Sequence, residues 1–198
     1  MTVEKTVLDG VLKITPPTIF KDFRGEYIEI YNKDFFKEKN INVEFIQDDI
    51  SVSKKNVLRG IHGNNDTWKL ISCLYGSFYL VVVNYDPKSK QYKKYTSFTL
   101  SDENRLQILV PPKFGNGHLV LSDTAMFHYK QNTNYIRESQ FTIKWNDPNY
   151  NFGWPIQNPI LSERDKWKST KKKRILVTGS SGFIGTNLIK KLVKYDVK

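Results

Sequence analysis

At 198 residues the chain has room for one sizeable core and part of a second unit, and its 39% hydrophobic content is that of a globular protein, not of a disordered or fibrous one. The net charge of +11 would suggest a nucleic-acid binder, but it is local: Lys166 to Lys198 holds ten Lys/Arg and one Asp, whereas the remaining 21 basic and 19 acidic residues nearly balance. The single cysteine, Cys73, excludes an intrachain disulfide framework and fits a reducing, cytoplasmic setting, while Met1 to Leu12 is too polar for a secretory signal and no apolar run approaches the ~20 residues of a membrane span.

Residues 1–20 read as short strands punctuated by Pro16-Pro17, and Phe20 to Tyr31 as a turn running into a strand. Asn32 to Lys39 reads as a helical turn anchored by Phe35 and Phe36. Phe45 to Ser53 is a strand, and Val57 to Leu70 after it reads as a polar loop that gathers Arg59, His62 and Lys69 between apolar flanks. Leu70 to Val83 is strand, turn at Gly76, strand, with Phe78 to Val83 the most β-prone run of the chain. Tyr92 to Leu100 and Leu106 to Val110 are further strands. Phe114 to His118 reads as a glycine-rich turn before the strand Leu119 to Leu121.

Ala125 to Thr133 is a strand that puts Phe127, Tyr129 and Gln131 on one face and His128 and Lys130 on the other. Phe141 to Trp145 is a last strand. Leu161 to Asp165 reads as the start of a short helix capped by Ser162. Many short strands at regular spacing predict a mainly β domain, a sandwich or barrel with short helices.

The last segment differs in kind. Arg174 to Thr178 reads as a buried-type strand, Gly179, Gly182 and Gly185 as a glycine turn, and Thr186 to Lys194 as an amphipathic helix, which together form the opening of a dinucleotide-binding fold. One strand and one helix cannot bury a core, so the motif is incomplete as a cofactor site here. The expected organisation is a β domain over 1–168, a basic linker over 169–174 and the first piece of a Rossmann-type domain over 175–198. The run Lys171 to Arg174 is expected to be a solvated linker, with a polyanion contact as the alternative.

Several short motifs in order carry a resemblance: Asp22-Phe23-Arg24-Gly25, Phe45-Ile46-Gln47-Asp48, Leu58-Arg59-Gly60-Ile61-His62, Tyr129-Lys130, Trp145-Asn146-Asp147-Pro148, Trp154-Pro155 and Leu161-Ser162-Glu163-Arg164-Asp165. Over residues ~5 to 165 the chain resembles the nucleotide-sugar 3,5-epimerases that act on dTDP-4-keto-6-deoxyglucose, the RmlC type, which have a cupin-like jelly-roll fold. The tail resembles extended short-chain dehydrogenase/reductases. The resemblance implies His62 as catalytic base, Asp165 as the carboxylate that orients it, Tyr129 as the acid on the opposite face of the sugar and Lys69 beside the developing enolate oxygen. It implies substrate contacts by Arg24, Glu29, Gln47, Arg59, Asn116, His118, Tyr135 and Arg164, some of them reaching a neighbouring subunit in a homodimer. It implies no organic cofactor and no metal, a nucleoside-diphosphate 4-keto sugar as substrate, and a fused reductase as the partner activity.

Gly115-Asn116-Gly117-His118 stands where family members commonly read Ala-His-Gly-Phe, so dTDP, GDP or UDP, hexose or heptose, and inversion at C3, C5 or both all stay open at this point. Three other readings remain beside the epimerase: a 3,4-ketoisomerase, a non-catalytic sugar-nucleotide-binding module and a polyanion-binding protein.

Overall fold

In a computed structural model, the residues described are 1–166 together with Gly182 and Asn187. In chain order the strands are β1 (Thr2–Lys5), β2 (Leu12–Thr15), β3 (Thr18–Asp22), β4 (Gly25–Ile28), then the helix α1 (Lys33–Glu38), β5 (Gln47–Lys54), β6 (Val57–Gly63), β7 (Lys69–Tyr75), β8 (Ser77–Asn84), β9 (Tyr95–Ser101), β10 (Gln107–Val110), β11 (Phe114–Val120), β12 (Thr124–Gln131), β13 (Phe141–Thr142) and β14 (Ile160–Leu161). One sheet runs β1-β2-β10-β7-β12-β5. The other runs β13-β6-β11-β8-β9, with β14 added parallel to β6, and β3–β4 is a separate hairpin.

Alternation along the strands explains the sandwich. Ile71, Cys73, Ile108 and Phe127 of the first sheet meet Phe78, Leu80, Val82 and Leu100 of the second in one core. β8 shows no clean polar–apolar alternation because both of its faces are covered: Val81 and Val83 pack on the other side under Ile143 and Phe152. Behind the first sheet, Ile14, Leu70 and Leu109 pack against Phe36 of α1, whose first turn is capped by the Asn32 side chain accepting from the amides of Asp34 and Phe35.

The edge strand β5 inverts the usual pattern. Ile50 and Val52 point outward, 57% and 58% exposed, while Ser51 and Ser53 turn inward. Ser53, buried, and Ser51, half-buried at the cleft, mark the end of the sandwich where the core gives way to a polar cleft.

Three local expectations are corrected. Arg59 and His62 do not lie in a loop: β6 is a central strand, paired with β11 and β13, and only residues 64–68 leave it before Lys69 opens β7. The glycines that lower the β propensity of Val57 to Gly63 are there for close packing. A Cβ on Gly60 (φ +119°) would stand 2.5 Å from Gly117 Cα and 2.8 Å from the Asn116 carbonyl oxygen. Phe114 to His118 is likewise no turn but the fully buried β11, where a Cβ on Gly115 would come within 2.8 Å of Ile61. Leu161 to Asp165 does not start a helix among the described residues: Leu161 ends a short strand, and the Asp165 amide closes a turn onto the Ser162 carbonyl. The Rossmann-type strand, turn and helix expected after residue 174, with Gly179 and Gly185, lie outside the described residues.

Candidate active site

A strand places alternate residues on opposite faces, so Arg59 and His62, three positions apart, would diverge on a regular β6. They converge because β6 carries one residue more than its partner. Asn116 pairs with His62 and His118 with Arg59, so two steps on β11 answer three on β6. The extra residue falls at Gly60, whose positive φ an L side chain rarely adopts. This bulge brings Arg59, His62, Asn116 and His118 to the wall of one cleft of about 380 Å³. Tyr129 and Lys69, from the facing sheet, line the same cleft, as do Tyr135, Arg164 and Asp165.

The side chains interlock. His62 Nε2 stands 2.8 Å from Asp165 Oδ1, an ion-pair separation. Thr142, opposite His62 on β13, has its Oγ1 3.1 Å from His62 Nδ1. Burial works to raise the Asp165 pKa, but His62, the Ser162 hydroxyl at 2.9 Å and the Gly60 amide outweigh it and hold the carboxyl below its ordinary range.

Lys69 is buried, donates to Asn116 Oδ1 at 3.3 Å, and sits 5.5 Å from the centroid of the Tyr129 ring. Burial, reinforced by the charge of Arg164 and opposed by that of Asp49, pulls its pKa down to about 8. Burial and the nearby Asp49 carboxylate push the Tyr129 phenol up, so it stays protonated far above neutrality. His118 is stacked on Phe127 at 4.1 Å with Nε2 unpartnered; burial and Arg59 push its pKa down to about 3, which keeps it neutral.

Of the residues expected to contact substrate, Arg59, Asn116, His118, Tyr135 and Arg164 meet in this cleft with the four expected catalytic residues. Gln47 supports its edge: its Oε1 accepts from the Tyr135 amide at 2.8 Å. Arg24 and Glu29 lie elsewhere in this chain. Arg24 pairs with Asp22 at the tip of the β3–β4 hairpin, and Glu29 accepts from Asn32 Nδ2 and borders a second cavity with Tyr31, Asp48, His128 and Lys130. Sequence reasoning missed Arg137 and Gln140, which line the cleft from the segment after β12, and Thr142. Nothing in their local pattern marks them; only the path of the chain over the cleft does. Among the described residues no three His, Cys, Asp or Glu side chains converge as a metal set.

The β sandwich from β2 onward, and the cleft, fall within one known family. Residues 5–172 match the family described as dTDP-4-dehydrorhamnose 3,5-epimerase. The chain belongs to the dTDP-4-dehydrorhamnose 3,5-epimerase family. Among its relatives, the dTDP-4-dehydrorhamnose 3,5-epimerase of Shigella flexneri is 40% identical over 169 residues, which is 83% of this chain and 93% of that protein. The crystal structure of the family's enzyme from Elizabethkingia anophelis is 40% identical, with a TM-score of 0.76 over 83% of this chain and 93% of that one. The crystal structure of the Legionella pneumophila 3,5-epimerase RmlC, in complex with dTDP-4-keto-L-rhamnose, is 33% identical, with a TM-score of 0.78 over 83% of this chain and 89% of its own. The family's mainly β, cupin-like fold is therefore the fold of this chain, and the cleft described above is its candidate catalytic centre.

Proposed function

We propose that this chain epimerises a nucleoside-diphosphate 4-keto-6-deoxy sugar, dTDP-4-keto-6-deoxyglucose by analogy with its relatives, by proton transfer through an enolate. The single observation that carries the reading is that an imidazole and a neutral phenol, from opposite sheets, line one cleft with a buried lysine. A C4 ketone makes the hydrogens on C3 and C5 removable as protons. His62 takes the proton, and the electron pair moves onto O4. The Lys69 ammonium stabilises that oxyanion, and Tyr129 returns a proton to the other face of the carbon. Asp165 stabilises the imidazolium as it forms. Arg59 and Arg164, with Arg137, give the cleft the positive charge a diphosphate needs. Asn116, His118 and Tyr135 complete the sugar and base contacts. The chemistry needs no organic cofactor.

Arg24 and Glu29 fit the proposal as residues offered to a second copy of the chain. The outward apolar residues Ile46, Ile50, Val52 and Tyr75 support a homodimer. The tail supports a fused reductase acting on the 4-keto product. No helix among the described residues is long and apolar enough to cross a membrane, and the one cysteine is buried and unpaired, which supports a cytoplasmic setting.

Incubation with dTDP-, GDP- and UDP-linked 4-keto-6-deoxy sugars in deuterated water, followed by NMR, tests the proposal. Deuterium enters C3, C5 or both with inversion, and the nucleotide with the highest turnover names the substrate. Exchange without inversion, with the carbonyl moved to C3, identifies a ketoisomerase; no exchange with any of the sugars overturns the enzyme reading.

A further inference from the structure

The Lys69 side chain stands inside the sandwich. Lys69 alternates along β7 with the core residues Ile71 and Cys73, and Asn116 alternates along β11 with Phe114 and Val120, so both side chains enter the space between the sheets. A buried ammonium is costly unless its three N–H bonds find acceptors. Among the described residues Lys69 has one, the Asn116 side chain at 3.3 Å. Asp49 favours its charge through space only, Arg164 opposes it, and the Tyr129 phenol beside it is neutral.

Lysine only donates, so the amide atom that faces it is the oxygen, and the NH2 of Asn116 points away from it. Strand pairing fixes Asn116 in turn: it sits on β11 between Val82 of β8 and His62 of β6, beside the bulge at Gly60. A buried lysine is normally paired with a carboxylate, which satisfies the ammonium but also cancels its charge. A carboxamide has no charge to cancel. It holds the ammonium at the cleft wall and leaves two of the three N–H bonds unclaimed. An oxyanion forming in the cleft is the group that those two bonds can meet.

We propose that Asn116 is a positioning residue for Lys69: its neutral side-chain oxygen fixes the ammonium at the cleft wall and keeps its full charge for the substrate oxyanion. The proposal rests on Lys69 being the group that stabilises the enolate. It gives Asn116 a task distinct from contact with the sugar.

The test compares wild type, Asn116→Asp, Asn116→Leu and Lys69→Met. Carbon NMR of lysine-labelled enzyme follows the Lys69 Cε resonance, identified by its loss in Lys69→Met, and in wild type it titrates at about 8. The isosteric carboxylate of Asn116→Asp raises that value by at least about one pH unit, as an opposite charge this close does. The same variant loses about 10- to 100-fold in kcat, because the ion pair draws the ammonium away from the substrate. Asn116→Leu, similar in shape but without an acceptor, shifts the titration the other way, below the wild-type value, and also lowers kcat. KM moves less than kcat in both variants. A Lys69 titration unchanged in both, or a rise in KM with kcat intact, as a plain substrate contact would give, overturns the proposal. So does a shifted titration with wild-type kcat. Wild-type turnover by Lys69→Met instead overturns the reading of Lys69 as the oxyanion's partner, and the titrations alone then decide whether Asn116 holds the ammonium.

Discussion

His62 and Tyr129 line one cleft from opposite sheets of the sandwich, His62 on β6 and Tyr129 on β12. Lys69 and Asn116 link the two sides: the lysine reaches Asn116, which is paired across the sheet with His62, and lies against the Tyr129 ring. A sugar ring bound there would meet a base and an acid on its two faces.

Separate roles predict separate failures. His62→Asn should abolish deuterium uptake at both C3 and C5, a loss of at least about 100-fold in exchange rate, because no other group stands in its place. Tyr129→Phe should still permit proton loss but impair inversion, since the enolate forms and is reprotonated from the side it left. NMR of the sugar protons in deuterated water distinguishes the two; equal exchange in wild type and His62→Asn would refute the base assignment.

Lys69 predicts a pH dependence whose sign is fixed by its buried setting. Its charge is lost as pH rises through about 8, so turnover should decline above that pH. Lys69→Met should remove that limb and lower kcat by about 100- to 1,000-fold, the usual range for one oxyanion-stabilising group. Stability should move the other way. The unfolded chain keeps this lysine protonated up to its ordinary value of 10.5, so between about 8 and 10.5 unfolding takes up a proton, and stability rises with pH across that window. Denaturant melts of wild type and Lys69→Met at pH 8 and pH 10 measure the difference, which the variant should not show.

Gly60→Ala should be severe for so small a change. The added methyl meets the backbone of β11, and the positive φ disfavours any L side chain. Overpacking and left-handed strain together predict a loss of about 3 kcal/mol or more in chemical denaturation. Variant protein that folds should also lose activity, because the bulge that turns Arg59 and His62 to the same face is the feature disturbed. A Gly60→Ala protein with wild-type stability would refute this account of the bulge.

Much of the scaffold was legible in the sequence because most strands announce themselves. β-branched and aromatic runs such as Phe78 to Val83 leave few alternatives, and the alternation of Phe127, Tyr129 and Gln131 against His128 and Lys130 gave the facing of β12 directly. Local propensity failed where glycine serves packing. Arg59-Gly60-Ile61-His62 and Phe114 to His118 read as loop and turn, yet both are central strands that pass too close to each other and to Ile61 for a Cβ. Propensity records what a residue prefers alone, and these glycines are fixed by what lies across the sheet.

The sequence by itself determined the β class, most of the strands and most of the chemically capable side chains, because those follow from periodicity and from the family motifs that carry them. Tertiary structure alone decided which of these side chains share a cleft. A one-residue bulge aligned Arg59 with His62, a cross-strand register put Thr142 on the imidazole, and the segment after β12 delivered Arg137 and Gln140 to the wall. Convergence depends on pairing between strands distant in the chain, which no local pattern of residues encodes.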